Sequence, residues 1–317
     1  MIPITGIVKV VDYNSNWPEM FEKEAEKIKQ ALGVNCIAAH HVGSTSVPGL
    51  SAKPIIDIIC GVKQLTNVAI KEFEALDFKF LDEYGIPMRM FFIKRTKIEV
   101  NLHIYEYDNT EIELNLLLRD YLRSNPLECI KYAALKKQLI ESGSVNQNNT
   151  NTFSEYTLGK NELMREFLKK TGFSKCRMMH CSHYSEWETY HSINEAQIFK
   201  PIGIIYDKNH PTMQMENHFH FVLYKGTEIV SIAHVEFLNG TEVAIRSLAT
   251  DAIYQRKGFG KTLMQLIERW LKYHGKNTIK LHASLKSQGF YRKLGYTEMQ
   301  FNDQPLTDKV IDLGKLL

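Results

Sequence analysis

Residues 255–260 read Gln-Arg-Lys-Gly-Phe-Gly, and this stretch decides how the second half of the chain is interpreted. It follows a strand-like segment at 242–250 and opens an amphipathic segment at 258–274. Glycines at such a turn let the backbone approach a ligand closely, and the free N–H groups of a helix start point outward. These N–H groups, the positive end of the helix dipole and the basic side chains nearby together predict a diphosphate site. Alone, the stretch is equally compatible with a Gly-rich turn beside a solvated basic face.

Two neighbouring motifs resolve that ambiguity. Residues 245–250 read Ile-Arg-Ser-Leu-Ala-Thr, and residues 289–296 read Gly-Phe-Tyr-Arg-Lys-Leu-Gly-Tyr. With these three motifs in this order and spacing, the chain resembles the GNAT family of acetyl-CoA-dependent N-acetyltransferases over residues 227–295. The resemblance implies a mixed, strongly twisted sheet and acetyl-CoA as the cofactor. It is weak over 176–218, where the acceptor side of that fold lies.

The resemblance also assigns residues. The strand edge should bind the pantetheine arm and the thioester carbonyl, and Tyr291 should protonate the departing CoA thiolate, for which a phenol with a pKa of about 10 is suited. Ser284 stands where the family often has an Asn that contacts the pantetheine. The expected cofactor-binding residues are Leu248, Ala249, Thr250, Gln255, Arg256, Lys257, Gly258, Phe259, Gly260, Lys261, Ser284 and Ser287.

The amine nucleophile also needs a base. Glu236 and His234 share one face of a strand, and Glu242 is a further candidate acting through water. We assign Glu236. A compact group of two cysteines and two histidines at 176–183 spans only eight residues, which is too short to surround a tetrahedral metal, so no metal is expected.

The first half carries a different signature. Residues 41–50 read His-Val-Gly-Ser-Thr-Ser-Val-Pro-Gly-Leu, and residues 53–58 read Lys-Pro-Ile-Ile-Asp-Ile. With further matching segments at 102–104, 118–123, 132–136 and 156–160, this half resembles the GrpB-like family over nearly all of 7–170. The resemblance implies a nucleotidyltransferase-like mixed sheet with helices.

In that fold the Gly-Ser turn and the acidic strand would form a pocket for a nucleotide or phosphate. A working nucleotidyltransferase needs two metals bridged by several carboxylates, yet position 59 is Ile and a second acid would have to be Glu99. A ligand-binding pocket is therefore favoured. The alternative is that residues 43–50 cap a helix and that Arg119 pairs with an internal carboxylate. The expected ligand-binding residues are Gly43, Ser44, Ser46, Lys53, Asp57, His103, Arg119 and Lys136.

Length and composition bound the remaining possibilities. The chain has 317 residues, 44% of them hydrophobic and 24% charged, which is typical of a globular α/β (α+β) protein with two domains, placed at 1–172 and 173–317. A net charge of +3 argues against a dedicated nucleic-acid binder. No segment is apolar enough to span a membrane, and five scattered cysteines without a signal peptide predict a cytoplasmic protein with reduced thiols.

Periodicity predicts the elements. The first half is expected to have strands at 55–62, 89–94 and 97–105 and helices at 16–32, 111–124, 126–141 and 153–170. After an irregular start, the second half should have strands at 218–224, 228–238, 242–250, 278–283, 296–301 and 309–313, and helices at 258–274 and 287–294.

The predicted function is therefore that of an N-acetyltransferase, an acyltransferase that moves an acetyl group from acetyl-CoA to a small-molecule or peptide amine. Two alternatives remain. One is a metal-dependent nucleotidyltransferase, and the other is a non-catalytic protein that binds CoA or a nucleotide.

Overall fold

The computed structural model describes residues 9–142 and 155–317. Their contacts divide the chain into two compact units, one ending at Lys175 and the other comprising Cys176–Leu317. Each unit combines helices with a mixed sheet, which confirms the predicted fold class. None of the described helices has the length and apolar character required to cross a membrane.

The first unit is built on a five-stranded sheet in the order β1-β2-β5-β4-β3. Strand β2 pairs with β5 in parallel, and the other described pairs are antiparallel. The strands are β1 (Cys36–Val42), β2 (Ile55–Val62), β3 (Lys79–Phe80), β4 (Met90–Arg95) and β5 (Glu99–Glu106). The helices are α1 (Trp17–Leu32), α2 (Ile70–Glu74), α3 (Thr110–Ser124), α4 (Pro126–Glu141), α5 (Glu155–Leu158) and α6 (Asn161–Thr171).

Local sequence explains most of these elements. Helix α1 begins with Pro18 in its first turn, buries Phe21, Ala25 and Ile28 on one face, and ends where Gly33 takes a positive φ. Strand β1, helix α2 and strand β3 were not predicted. The prediction of a single helix over 153–170 was wrong, because α5 and α6 are separate helices; residues 153 and 154 lie outside the described part.

The second unit has a seven-stranded sheet in the order β11-β12-β10-β9-β8-β7-β6. Strands β9 and β10 are parallel, and the other described neighbours are antiparallel. The strands are β6 (Cys176–His180), β7 (His218–Lys225), β8 (Glu228–Phe237), β9 (Glu242–Thr250), β10 (Thr278–Ser284), β11 (Thr297–Glu298) and β12 (Val310–Leu316). The helices are α7 (Tyr184–Asn194), α8 (Phe259–Tyr273) and α9 (Gln288–Lys293).

The start of this unit is regular, contrary to expectation. Strand β6 and helix α7 occupy a stretch that was predicted to be irregular, and β11 has two residues where a six-residue strand was predicted. Helix α7, which was not predicted, begins with a cap formed by His183. Its side chain accepts a hydrogen bond from the Ser185 N–H, and Glu186 bonds back to the His183 N–H, so the pair caps α7.

Candidate functional sites

Strands β9 and β10 are neighbours in the sheet but separate along their length. Their parallel register pairs residues 242–244 with 278–280. Beyond these pairs β9 continues to Thr250 and β10 to Ser284, and no described residue pairs the two strands there. Because diverging strands leave main-chain donors and acceptors unpaired, the gap is an opening with a hydrogen-bonding edge.

Leu248 and Thr250 present their main-chain groups to this opening. On its other side β9 pairs with β8, and the Asp251 N–H donates to a β8 carbonyl at 3.0 Å. Since hydrogen-bonded and non-hydrogen-bonded pairs alternate along antiparallel strands, Ala249 bonds toward β8 while its two neighbours face β10. Gln255 agrees with this assignment, because its Nε2 donates to the Thr250 carbonyl at 3.2 Å.

The N-terminus of α8 lies directly after this strand edge in the chain. Gly258 has a φ of +88°, and the first hydrogen bond of the helix runs from the Thr262 N–H to the Gly258 carbonyl at 3.0 Å. Among the described residues, the N–H groups of Phe259, Gly260 and Lys261 have no acceptor. Such outward N–H groups, together with the helix dipole, form an anion site.

The space around these glycines is open. A Cβ at Gly258 would meet nothing within 4 Å, and one at Gly260 would lie 3.4 Å from Thr250 Oγ1. The side chains of Arg256, Lys257 and Lys261 are exposed. The predicted diphosphate residues therefore lie around an accessible helix start, and their binding of a diphosphate stays a prediction.

Tyr291 lies on α9 and is 7% exposed. Burial raises the pKa of its hydroxyl above the usual range, so the phenol keeps its proton at neutral pH. Within the described structure that hydroxyl has no hydrogen-bond partner. A neutral, unpaired phenol is a suitable general acid.

Ser284 and Ser287 are bonded to each other. Their hydroxyls are 2.9 Å apart, and the Ser287 N–H donates to Ser284 Oγ at 3.2 Å. The two serines therefore shape the turn between β10 and α9. Contact of either side chain with a cofactor stays a prediction.

Glu236, the predicted base, is held by a cation. Arg246 forms a bulge in β9, because Val235 pairs with Ile245 while His234 pairs with Ser247. The Arg246 Nε donates to a Glu236 carboxylate oxygen at 2.5 Å. The structure therefore places Glu236 in an ion pair, and its role as base stays a prediction.

A chain of histidines continues from Glu236 across β7 and β8. The His218 Nδ1 and His234 Nε2 are 2.8 Å apart, and the ring of His234 stacks on that of His220 at 4.3 Å. His220 Nδ1 lies 2.9 Å from the Tyr190 hydroxyl on α7. Burial lowers the pKa of His220 to about 4 and, with the neighbouring histidines, that of His234 to about 2, so both rings are neutral at pH 7.

The candidate pocket of the first unit forms around the Gly-Ser turn and β2. Gly43 has a φ of +68°, and a Cβ there would collide with the Asp57 carboxylate. Asp57 accepts a hydrogen bond from Asn101 Nδ2 on β5 at 2.8 Å. Glycine is thus required at this position, both for the turn and for the close approach of the acid.

Lysines from three separate segments surround this turn. Lys136 on α4 is 2% exposed and donates to Ser44 Oγ at 3.2 Å. Lys53 lies over the Tyr156 ring at 4.1 Å, and Lys160, before α6, lies over the same ring at 4.8 Å. Lys160 and Tyr156 were not among the predicted ligand-binding residues, although their segment, 156–160, was one of those that matched the family.

The remaining predicted ligand residues are engaged in the fold. Ser46 Oγ donates to the Gly43 carbonyl at 2.6 Å, and His103 Nδ1 lies 3.1 Å from Arg89 Nη1. Arg119 donates to Asp120 at 2.7 Å and to the His41 carbonyl at 3.2 Å. Gly43, Ser44, Lys53, Asp57 and Lys136 lie around the Gly-Ser turn, and their binding of a ligand stays a prediction. The hydrogen bonds of the other three residues hold the surrounding structure.

Comparisons with known proteins match each unit separately. A family described as GrpB protein matches residues 7–170, and an acetyltransferase (GNAT) domain matches residues 192–309. The UPF0157 protein YqkA of Bacillus subtilis (strain 168) is 37% identical over 161 residues, 50% of this chain and 45% of that protein. The chain thus spans less than half the length of that relative.

Two further similarities follow the same division. The uncharacterized N-acetyltransferase YhdJ of Bacillus subtilis (strain 168) is 26% identical over 121 residues, 35% of this chain and 85% of that protein. The crystal structure of the conserved protein GrpB from Enterococcus faecalis is 35% identical, covers 51% of this chain and 96% of its own, and has a TM-score of 0.46. The chain belongs to the GrpB family, which its N-terminal half matches, and it carries a GNAT acetyltransferase domain in its C-terminal half.

Proposed function

We propose that the protein transfers an acetyl group from acetyl-CoA to an amine acceptor and that its GrpB domain binds a nucleotide or phosphate ligand. One observation carries the acetyltransferase assignment. The open edge of β9 is followed directly by a helix start with unpaired N–H groups, so a thioester-bearing arm and a diphosphate would each find main-chain donors.

The chain's own groups then have defined tasks. Bound acetyl-CoA supplies an acetyl thioester at the β9 edge. Main-chain N–H groups at Leu248 or Thr250 polarise its carbonyl toward attack by the acceptor amine. As the carbon–sulfur bond breaks, Tyr291 gives its proton to the sulfur, and the proton lost by the amine passes to a base, for which Glu236 is the candidate.

Ligand binding, rather than nucleotidyl transfer, fits the pocket of the GrpB domain. Two-metal chemistry relies on several carboxylates. Here Asp57 stands with Ile59 and Asn101 on the paired strands, and Glu99 is held in an ion pair with Arg95 at 3.5 Å. A single carboxylate faces a group of lysines, which suits an anionic ligand.

Calorimetric titration with acetyl-CoA tests the acetyltransferase assignment. We expect micromolar binding to the full chain, weakened at least about tenfold in Gly258→Glu, because a carboxylate at the helix start repels the diphosphate. Gly275→Glu is the matched control. It replaces another glycine of positive φ with open surroundings, just beyond the opposite end of α8, and should bind as the unaltered chain does.

Turnover completes the test. Release of free CoA thiol in the presence of a panel of primary amines is expected from the unaltered chain and from Gly275→Glu. If the unaltered chain does not bind acetyl-CoA, the proposed activity is wrong. Equal loss of binding in the two glycine variants would remove the helix start from the site.

A further inference from the structure

The three lysines of the GrpB pocket form an unusually concentrated group of cations. Lys53 and Lys160 lie over one tyrosine ring, at 4.1 and 4.8 Å from its centroid. Lys136 lies 4.4 Å from the centroid of Tyr132 and is almost completely buried. Aromatic faces attract ammonium groups, but they carry no net charge and cannot neutralise three cations.

No counter-ion compensates this charge within the described residues. None of the three ammonium nitrogens has a carboxylate oxygen within 4.0 Å there, whereas Lys94, the other well-buried lysine of this unit, is paired with Glu24 at 2.9 Å. Asp57 is the nearby acid that interacts electrostatically with Lys53 and Lys160. The pocket therefore holds three cations around one carboxylate, and buried charge of this kind is costly unless it is paired.

The pKa values of two of these lysines show that their surroundings disfavour the charged form. Burial and the charge of Lys160 lower the pKa of Lys53 to about 8 and that of Lys136 to about 7. An anion bound between these lysines would favour the charged form of both amines and offset the repulsion that each experiences from Lys160. The entrance is accessible, because Gly43 is exposed and Ser44, Lys53, Asp57 and Lys160 are each partly exposed.

The same charges disfavour a divalent cation. A metal held by Asp57 would have as its neighbours two ammonium groups that interact with that carboxylate, rather than the further acids of a two-metal site. The ammonium groups could themselves supply the positive charge that metals otherwise bring to phosphate oxygens. Three ammonium groups match the negative charge of several phosphates better than that of one.

We propose that Lys53, Lys136 and Lys160 bind an oligophosphate chain directly, without a divalent metal, and that Asp57 attracts Lys53 and Lys160 electrostatically instead of binding metal. The inference rests on the proposed ligand role of the GrpB domain. The chain of phosphates is the recognised group, whether it belongs to a nucleotide or to an inorganic oligophosphate.

The test titrates inorganic triphosphate and, separately, ATP into the full-length Gly258→Glu variant, so that the start of α8 does not contribute. We expect binding in EDTA, weakened when excess Mg²⁺ complexes the probe. Lys160→Gln should lower the affinity at least about tenfold. Lys137→Gln removes the same charge from an exposed neighbour of Lys136 and should change it less than about twofold.

The outcomes separately test the type of ligand, the need for Mg²⁺ and the role of Lys160. Tighter binding of ATP than of triphosphate identifies a nucleotide, and equal binding identifies the phosphate chain alone; both support the proposal. Binding that requires Mg²⁺, or equal losses in Lys160→Gln and Lys137→Gln, overturns it while the ligand role of the domain stands. If neither probe binds with or without Mg²⁺, that ligand role fails as well. Circular dichroism of each variant checks that it is folded.

Discussion

Tyr291 and Tyr296 are neighbouring tyrosines whose hydroxyl groups differ. Their ring centroids are 5.7 Å apart, and both side chains are buried. The Tyr296 hydroxyl donates to Glu268 at 3.1 Å, whereas that of Tyr291 has no partner in the described structure. We expect Tyr291→Phe to lower kcat about a hundredfold, because the leaving thiolate loses its proton donor, while the Kd for acetyl-CoA changes little.

Tyr296→Phe is the matched control, since it removes one hydroxyl from the same cluster. It should cost about 1 kcal/mol of the free energy of unfolding and leave kcat unchanged, because Glu268 keeps its ion pair with Lys315 at 2.8 Å. Steady-state kinetics of CoA release, combined with calorimetry, separates the two effects. Equal kcat values for Tyr291→Phe and the unaltered chain would exclude Tyr291 as the general acid.

Helix α1 is joined to strand β4 by a buried ion pair. Glu24 is 2% exposed and Lys94 is 6% exposed, with 2.9 Å between Oε2 and Nζ. Glu24→Leu would leave the Lys94 ammonium buried without its partner, at a cost of about 3 kcal/mol. We expect hydrogen exchange in α1 and β4 to accelerate by about a hundredfold, measured by mass spectrometry.

The double variant Glu24→Leu, Lys94→Met distinguishes the loss of the ion pair from the loss of packing around α1. Replacing both charges with apolar groups should restore most of the protection, because no buried charge is then left unpaired. Exchange as fast in the double variant as in Glu24→Leu would show that packing around α1, rather than the ion pair, is responsible.

Buried neutral histidines in both units make the whole molecule sensitive to acid. Burial lowers the pKa of His41 and of His220 to about 4, below the value of about 6.5 in an unfolded chain. Between these values the unfolded chain binds more protons, so the free energy of unfolding falls as the pH decreases from about 6.5 to 4. Each histidine should contribute roughly 1–3 kcal/mol of this loss.

Calorimetric melting between about pH 7.5 and 4.5 measures the effect. His41→Gln and His220→Gln should each flatten the pH dependence of the transition of their own unit. His210→Gln, at an exposed position, should leave both transitions unchanged. A pH dependence that is the same in all three variants would assign the acid sensitivity to carboxylates instead.

Local sequence patterns determined much of this protein. Buried β-branched residues placed β2 at 55–62, and the glycines at 258 and 260 placed the start of α8 within one residue. The helix predicted at 126–141 has the bounds of α4. These features depend on periodicity, capping and turn geometry, which act between residues close together in the chain. The same patterns carried the resemblance to both families.

Only the tertiary structure decided which side chains act together. Lys53 and Lys160 are far apart in the sequence and meet over Tyr156, while Glu236, the predicted base, meets Arg246 across a bulge. Strand β1 forms because its backbone pairs with β2, without a distinct pattern of its own. Local sequence determined where elements such as β2, α4 and α8 begin. Packing decided which charges are buried and which are paired, because these energies depend on neighbours that folding alone brings together.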